Sequence, residues 1–221
     1  MGYDFNNLQL FCGNEQQQMQ NYLQLLEHVS DFWRDGGYQL SLLEEESNRI
    51  VVIGPPARWV WVYDSAAPDH EKLLSSLANY WSVISLSVWD DSYLNIFLHR
   101  DGKCVDQYCN APEMYIRGLK RKNPEAHYEE ADFYGQTSQW VDYLYETKQR
   151  SDLQRVWKNV ARPYEILDQM AQLIGWDAKA VRAGYLVYDE GMYEIPFADF
   201  FEMKRYQVDL SKITTFYLKE V

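Results

Sequence analysis

Basic residues are scarce in this chain, and so are cysteine, proline and any long apolar run. Its 221 residues hold 21 Lys and Arg against 33 Asp and Glu, a formal net charge of −12. A surface with that balance repels phosphate backbones and anionic membranes, so neither nucleic acid nor a membrane is expected as a partner. It also speeds encounter with basic proteins. The three cysteines, Cys12, Cys104 and Cys109, are an odd number, and the Cys104-to-Cys109 spacing fits neither a CxxC pair nor a zinc knuckle. Free thiols in a reducing compartment are the expectation. No segment approaches the roughly 18 apolar residues of a membrane span. The opening MGYDFNNLQLF lacks the basic region and apolar core of a signal peptide, so a cytoplasmic location is expected.

The signatures of common catalytic chemistry are missing too. His28, His70, His99 and His127 lie far apart, without HExxH or His/Cys pairs at ligand spacing, so no metal and no cofactor are expected. Neither GxxxxGK[ST] nor GxGxxG occurs. Gly54-Pro55-Pro56 follows an apolar strand, but its prolines lack the N–H groups that cradle phosphate. There is no GxSxG elbow, and a dyad of His99 with Cys104 or Cys109 has only proximity in its favour. No catalytic residue is therefore assigned. Asp64 and the Asp90-Asp91 pair fall at strand ends, where carboxylates serve acid–base chemistry or a cation, and where aspartate is also the ordinary turn residue.

What the chain does have is a patterned sheet. In Ser82–Tyr108, the residues Ile84, Leu86 and Val88 alternate on one face. After Asp90-Asp91-Ser92, Leu94, Ile96 and Leu98 do the same. Asp101-Gly102 supplies the dipeptide of a type I′ hairpin, whose two central residues take positive φ. Upstream, strands are expected over residues 3–12 and 38–43 and in two pieces within 49–63. Helices are expected from Asn14 to Gly36 and from about residue 68 to 80. The first helix takes Met19, Tyr22, Leu23, Leu25, Leu26, Val29 and Phe32 as its apolar positions. Trp59, Trp61 and Tyr63 share one face of their strand and Val60 and Val62 the other, which suits burial on both sides or a wet aromatic surface.

After Asn110-Ala111-Pro112 the pattern changes. Arg117–Lys122 is a short basic cluster. Residues 123–150 are Tyr-rich, and a short helix is expected over 152–160. Pro163 opens a helix that Gly175 stops, with Ile166, Leu167, Met170, Leu173 and Ile174 as its inner stripe. Short strands are expected over 185–188, 193–195 and 213–218. The fold class is thus α+β: a mainly antiparallel sheet with two packed helices over residues 1–110, then a mostly helical, Tyr-rich half over 111–221 packed against it.

The segments GPPARWVWVYDS, SVWDDSYLNIFLHRDGKCVDQY and PYEILDQMAQLIGWDAKAVRAGYLVY resemble a group of acidic bacterial α+β proteins to which no activity is attached. In composition the chain also resembles the immunity proteins of bacterial toxin systems. That resemblance implies a compact, non-enzymatic protein that occludes a basic toxin or effector domain.

Charge is uneven along the chain. Residues 1–110 hold 15 acids and 6 bases, a net of −9; residues 111–221 hold 18 and 15, a net of −3. A partner-binding surface is therefore expected in the first half. Its acids would be Glu44, Glu45, Glu46, Asp64, Asp90 and Asp91, and its aromatic anchors Trp59, Trp61, Trp89 and Tyr93. Two other readings remain open here. One is an enzyme or small-ligand protein with a Tyr/Trp-lined pocket around Asp64 and Asp90. The other is a structural or adaptor subunit that buries an apolar patch in a homo-oligomer.

Overall fold

The computed structural model describes residues 5–42, 46–65, 70–89, 92–158, 161–182, 185–186 and 207–221. In chain order, β1 (Phe5–Phe11) leads into α1 (Glu15–Asp35), β2 (Tyr38–Ser41), β3 (Arg49–Ile53) and β4 (Trp59–Asp64). Then come α2 (His70–Ala78), β5 (Val83–Trp89), β6 (Tyr93–Arg100) and β7 (Lys103–Cys109). The second half adds α3 (Pro112–Lys122), α4 (Arg150–Lys158), α5 (Pro163–Ile174), β8 (Tyr185–Leu186) and β9 (Thr214–Glu220), with short 3-10 turns between them.

Every described strand joins one antiparallel sheet in the order β2-β9-β3-β4-β1-β5-β6-β7, and β8 pairs with Phe5 and Asn6 of β1. The β5-β6-β7 meander follows the alternation. Ile84 faces Leu98, Leu86 faces Ile96 and Val88 faces Leu94. Arg100 pairs with Lys103 across a two-residue turn in which Asp101 and Gly102 have φ of 50° and 69°. Glycine takes that left-handed φ without strain, and a Cβ there would push aside the Asn79 side chain of the segment after α2.

A mostly helical C-terminal half is overturned by β9 and β8. The chain end lies between β2 and β3, pairing Arg49–Ile53 with Thr214–Leu218 on one side and Tyr38–Ser41 with Tyr217–Glu220 on the other. Because β2 and β3 are each antiparallel to β9, they run in the same direction as each other. They form no hairpin with each other, and β9 fills the space between them in the opposite direction. Local reading treats consecutive strands as neighbours, and here that rule fails. Helix α3 is an element that the sequence pattern does not announce, and it begins at Pro112, where that pattern changes. The proline stands in the first turn, where its missing N–H costs nothing.

Both faces of the sheet are covered. Leu8, Leu10, Val51, Ile53, Val60, Val62 and Val83 form an aliphatic face beneath Tyr22, Leu25, Val29 and Trp33 of α1 and Leu73 and Leu77 of α2. On α1 this corrects the expected stripe, since Met19 and Leu23 are exposed and Trp33 is buried in their place. The opposite face is aromatic and aliphatic by turns. Trp59, Ile84, Leu86, Ile96 and Leu98 meet Trp140, Tyr143, Leu153 and the Ile166–Ile174 stripe of α5. Next to them Trp61 and Tyr63 pack with Val52, Ala180 and Val208. Of the two alternatives left by Trp59, Trp61 and Tyr63, burial on both sides is the one realised.

Candidate functional site: the α1–α2 groove

Helix α1 must turn Tyr22, Leu25, Val29 and Trp33 onto the sheet, which leaves Glu27, Asp31 and Asp35 spaced four residues apart along its flank. Residues four apart are neighbours on a helix surface, so three carboxylates form one stripe, and like charges at that spacing repel. Asp35 also ends the helix, where the macrodipole disfavours an anion. Arg34 pairs with Asp31 at 2.7 Å on the exposed surface.

This stripe borders a groove between α1 and α2. His28 bridges the two helices, its Nε2 2.9 Å from Ser76 Oγ. Its ring lies 4.9 Å from that of Tyr80 and 5.5 Å from that of Trp81. Burial holds the His28 pKa below its ordinary value, with the Asp31 carboxylate working in the opposite direction. On one side of His28 the groove is an open cleft of about 670 Å³ bordered by Gln24, Glu27, Asp31, Tyr80 and Trp81. On the other it is a cleft of about 880 Å³ bordered by Asp31, Trp33, Asp35, Tyr38, Glu71 and Lys72. His28 and Asp31 belong to both. The walls thus carry four carboxylates against one ammonium, with the Tyr80 ring 70 % exposed beside them. Such a surface attracts cations and offers them an aromatic face.

Those of the expected site residues that the structure describes do not share one surface. Trp59 is buried and donates from its indole nitrogen to the Ile174 carbonyl at 2.9 Å. Trp61 is buried and stacks on Tyr63 at 4.4 Å. Its indole also fills the space where a Cβ on Gly54 would stand, which explains glycine at the start of the Gly-Pro-Pro turn. Asp64 is 2 % exposed and accepts from Arg49 Nε and Nη2 at 2.9 and 2.5 Å, while the Arg49 guanidinium lies 3.6 Å over the Trp33 ring. A carboxylate enclosed in this way presents no surface to a protein partner and no open position to a substrate. Trp89 and Tyr93 are cross-strand partners with nearly parallel rings 6.4 Å apart; Trp89 is exposed, and Tyr93 leans on Tyr115 of α3. Glu46 is exposed. Glu44, Glu45, Asp90 and Asp91 lie outside the described residues.

Cys12 and Cys109 are buried, whereas Cys104 is exposed. His99 and Cys104 are register partners on β6 and β7, but the Cys104 thiol donates to the Asp106 carbonyl at 3.4 Å and burial raises its pKa. Burial pushes Cys12 up to about 12 and Cys109 to about 11. Thiols held protonated at neutral pH are poor nucleophiles. Among the described residues no group of three or more His, Cys, Asp or Glu is placed to hold a metal ion. No described helix is long and apolar enough to cross a membrane.

The α1 acids are not among the expected site residues, which fall on loops and strand ends. The four-residue spacing of Glu27, Asp31 and Asp35 beside the apolar stripe was the signal that could have found them. No family model, curated protein or solved structure matches this chain.

Proposed function

We propose that this protein is a non-enzymatic recognition protein of the cytoplasm that binds a basic protein partner. Its most concrete form is an immunity protein that occludes a basic toxin or effector domain. One observation carries the reading: the α1–α2 groove gathers Glu27, Asp31, Asp35 and Glu71 around exposed aromatic surface, against the single ammonium of Lys72. Like charges along α1 and an anion at its C-terminal end cost local stability. A partner that supplies cations would offset that cost on binding. Long-range attraction would speed encounter, and Tyr80 with Trp81 would supply contact area at the centre.

The test is capture of partners from a lysate of the native host at low salt and again at about 0.5 M, where screening has shortened to a few ångströms. The reading predicts one basic protein retained at low salt and lost at high salt. It further predicts that wild-type protein inhibits that partner's activity, and that Glu27→Lys/Asp31→Lys/Glu71→Lys abolishes both effects while the far-UV spectrum stays unchanged. Absence of any basic partner at either salt overturns it.

A further inference from the structure

Independent of that reading, the protein carries a second charged face, opposite in sign to the first. Helix α3 presents Arg117 and Arg121 four residues apart, with Lys120 and Lys122 beside them, and all four are exposed. Among the described residues none of these cations is held in an ion pair. Like charges at that spacing repel, as Glu27 and Asp31 do on α1. A chain with a net charge of −12 thus gathers unpaired cations on one helix and carboxylates on another. The same face of α3 has a gap in it. Gly118 stands in mid-helix, next to Arg117 and one turn beyond Met114, which is 47 % exposed. A Cβ at Gly118 would meet no atom within 4 Å, so nothing inside the protein asks for glycine there. Glycine nonetheless weakens a helix interior relative to alanine, and its use is to let another backbone come close.

Helices α1 and α3 lie on one side of the sheet. The Tyr115 ring of α3 is 6.2 Å from that of Phe97; Phe97 pairs with Ser85, and Ser85 with Leu8, which α1 covers. Directly opposed residues on neighbouring strands point to the same face. Two copies that meet by this face about a twofold axis therefore make an α1–α3 contact twice, and the assembly closes. One helix pair alone is small for a stable interface, and the duplication enlarges it. The two stripes also share a spacing, since four residues rise about 6 Å along either helix.

We propose that the occupant of the α3 face is a second copy of this chain. In the dimer, Glu27 and Asp31 on α1 of each copy lie against Arg117 and Arg121 on α3 of the other, and Gly118 admits the close approach of the helices. Arg34 shares Asp31 with the incoming guanidinium, because its own exposed pair is weak. The dimer covers acids that the recognition reading assigns to a basic partner, so the two associations compete.

The experiment is sedimentation equilibrium of the full-length protein over a concentration series, at low salt and at about 0.5 M, where screening has shortened to a few ångströms. A monomer–dimer equilibrium is expected at low salt, weakened at high salt. Glu27→Lys/Asp31→Lys and Arg117→Glu/Arg121→Glu each remove four exposed pairs per dimer. At about threefold per pair, each should raise the dimer Kd by about 80-fold. An equimolar mixture of the two variants should dimerise again, because both contacts then join opposite charges. Both variants remain net negative, so overall attraction does not explain that rescue. Gly118→Leu, which nothing in the protomer opposes, should weaken the dimer at both salt concentrations. A monomer at every concentration, a dimer indifferent to either reversal, or a mixture that stays monomeric would overturn the proposal. Each of these results leaves the recognition reading standing, since that reading is decided by capture of a basic partner.

Discussion

Asp64 and Asp106 lie inside the protein with donors aimed at them, whereas Glu27, Asp31 and Asp35 line the outer flank of α1, where Arg34 pairs with Asp31. Asp64 holds the start of β3 to the end of β4, and the ring of Trp33 covers its partner Arg49. Asp106 accepts from Trp140 Nε1 at 2.5 Å and from the Gln136 backbone N–H at 2.8 and 3.0 Å, tying β7 to the segment that follows α3. The interior acids are fastened and serve the fold. The groove acids are crowded along one exposed flank of α1. Neutralising Asp64 and neutralising a groove acid should therefore move stability in opposite directions.

The sharpest break comes at the interior pair. Arg49→Met leaves the Asp64 carboxylate buried without its cation, and losses of about 3–5 kcal/mol are expected for such a change. Chemical denaturation should show a lower midpoint with an unchanged slope. The double variant Arg49→Met/Asp64→Leu should recover most of the loss, because no charge is then left uncompensated. If Arg49→Met alone proved harmless, the interior half of the comparison would collapse.

Next in size is Trp140→Phe. It removes the indole donor from Asp106 while leaving a ring in the core, and a hydrogen bond to a charged group is worth about 1.5–3 kcal/mol. Asp106 also makes a prediction in pH. Burial, which outweighs its hydrogen bonds, raises its pKa above the ordinary 3.8. The folded protein therefore binds more protons than the unfolded chain between 3.8 and the raised value. Stability from this group is full below 3.8 and falls as pH rises through that window. His28 behaves with the opposite sign. Its pKa is lowered from 6.5, so its contribution is full above 6.5 and is lost as pH falls through the lowered value. Difference curves of wild type against Asp106→Asn and against His28→Gln should slope in these opposite senses, each in its own window.

How far the sequence revealed this arrangement depends on the range of the interactions involved. The β5-β6-β7 meander was legible because alternation, an Asp-Gly turn and short loops are all local. The helix opened by Pro163 and stopped by Gly175 was legible for the same reason: Pro163 suits the first turn, and Gly175 accepts the left-handed φ of 82° that ends it. The position of β9 was not. Its partners Tyr38–Ser41 and Arg49–Ile53 lie more than 160 residues away, and nothing in 214–220 states which strands it separates. Composition also misplaced the aromatic residues. Trp59 and Trp61 look like interface anchors in isolation, yet both are core once α5 and the Ala180 turn cover their face. Asp64 ends its strand as read, but the Arg49 that encloses it is fifteen residues upstream and becomes its neighbour only through the β3–β4 pairing.

The smallest effect is also the most discriminating. Asp35 is the last residue of α1, placed against the negative end of the helix dipole and one turn beyond Asp31. Asp35→Asn removes both repulsions, each worth a few tenths of a kcal/mol at an exposed position, and should raise stability by about 0.3–1 kcal/mol in low salt. The gain should shrink as ionic strength rises, because exposed charges are screened. Thermal unfolding at low and high salt is sufficient to measure it. A carboxylate kept in its fold by a buried cation loses stability when neutralised, as Asp64→Asn should beside the Arg49 guanidinium. One that gains stability under the same change, while binding to a basic partner weakens, is held in place by what it binds.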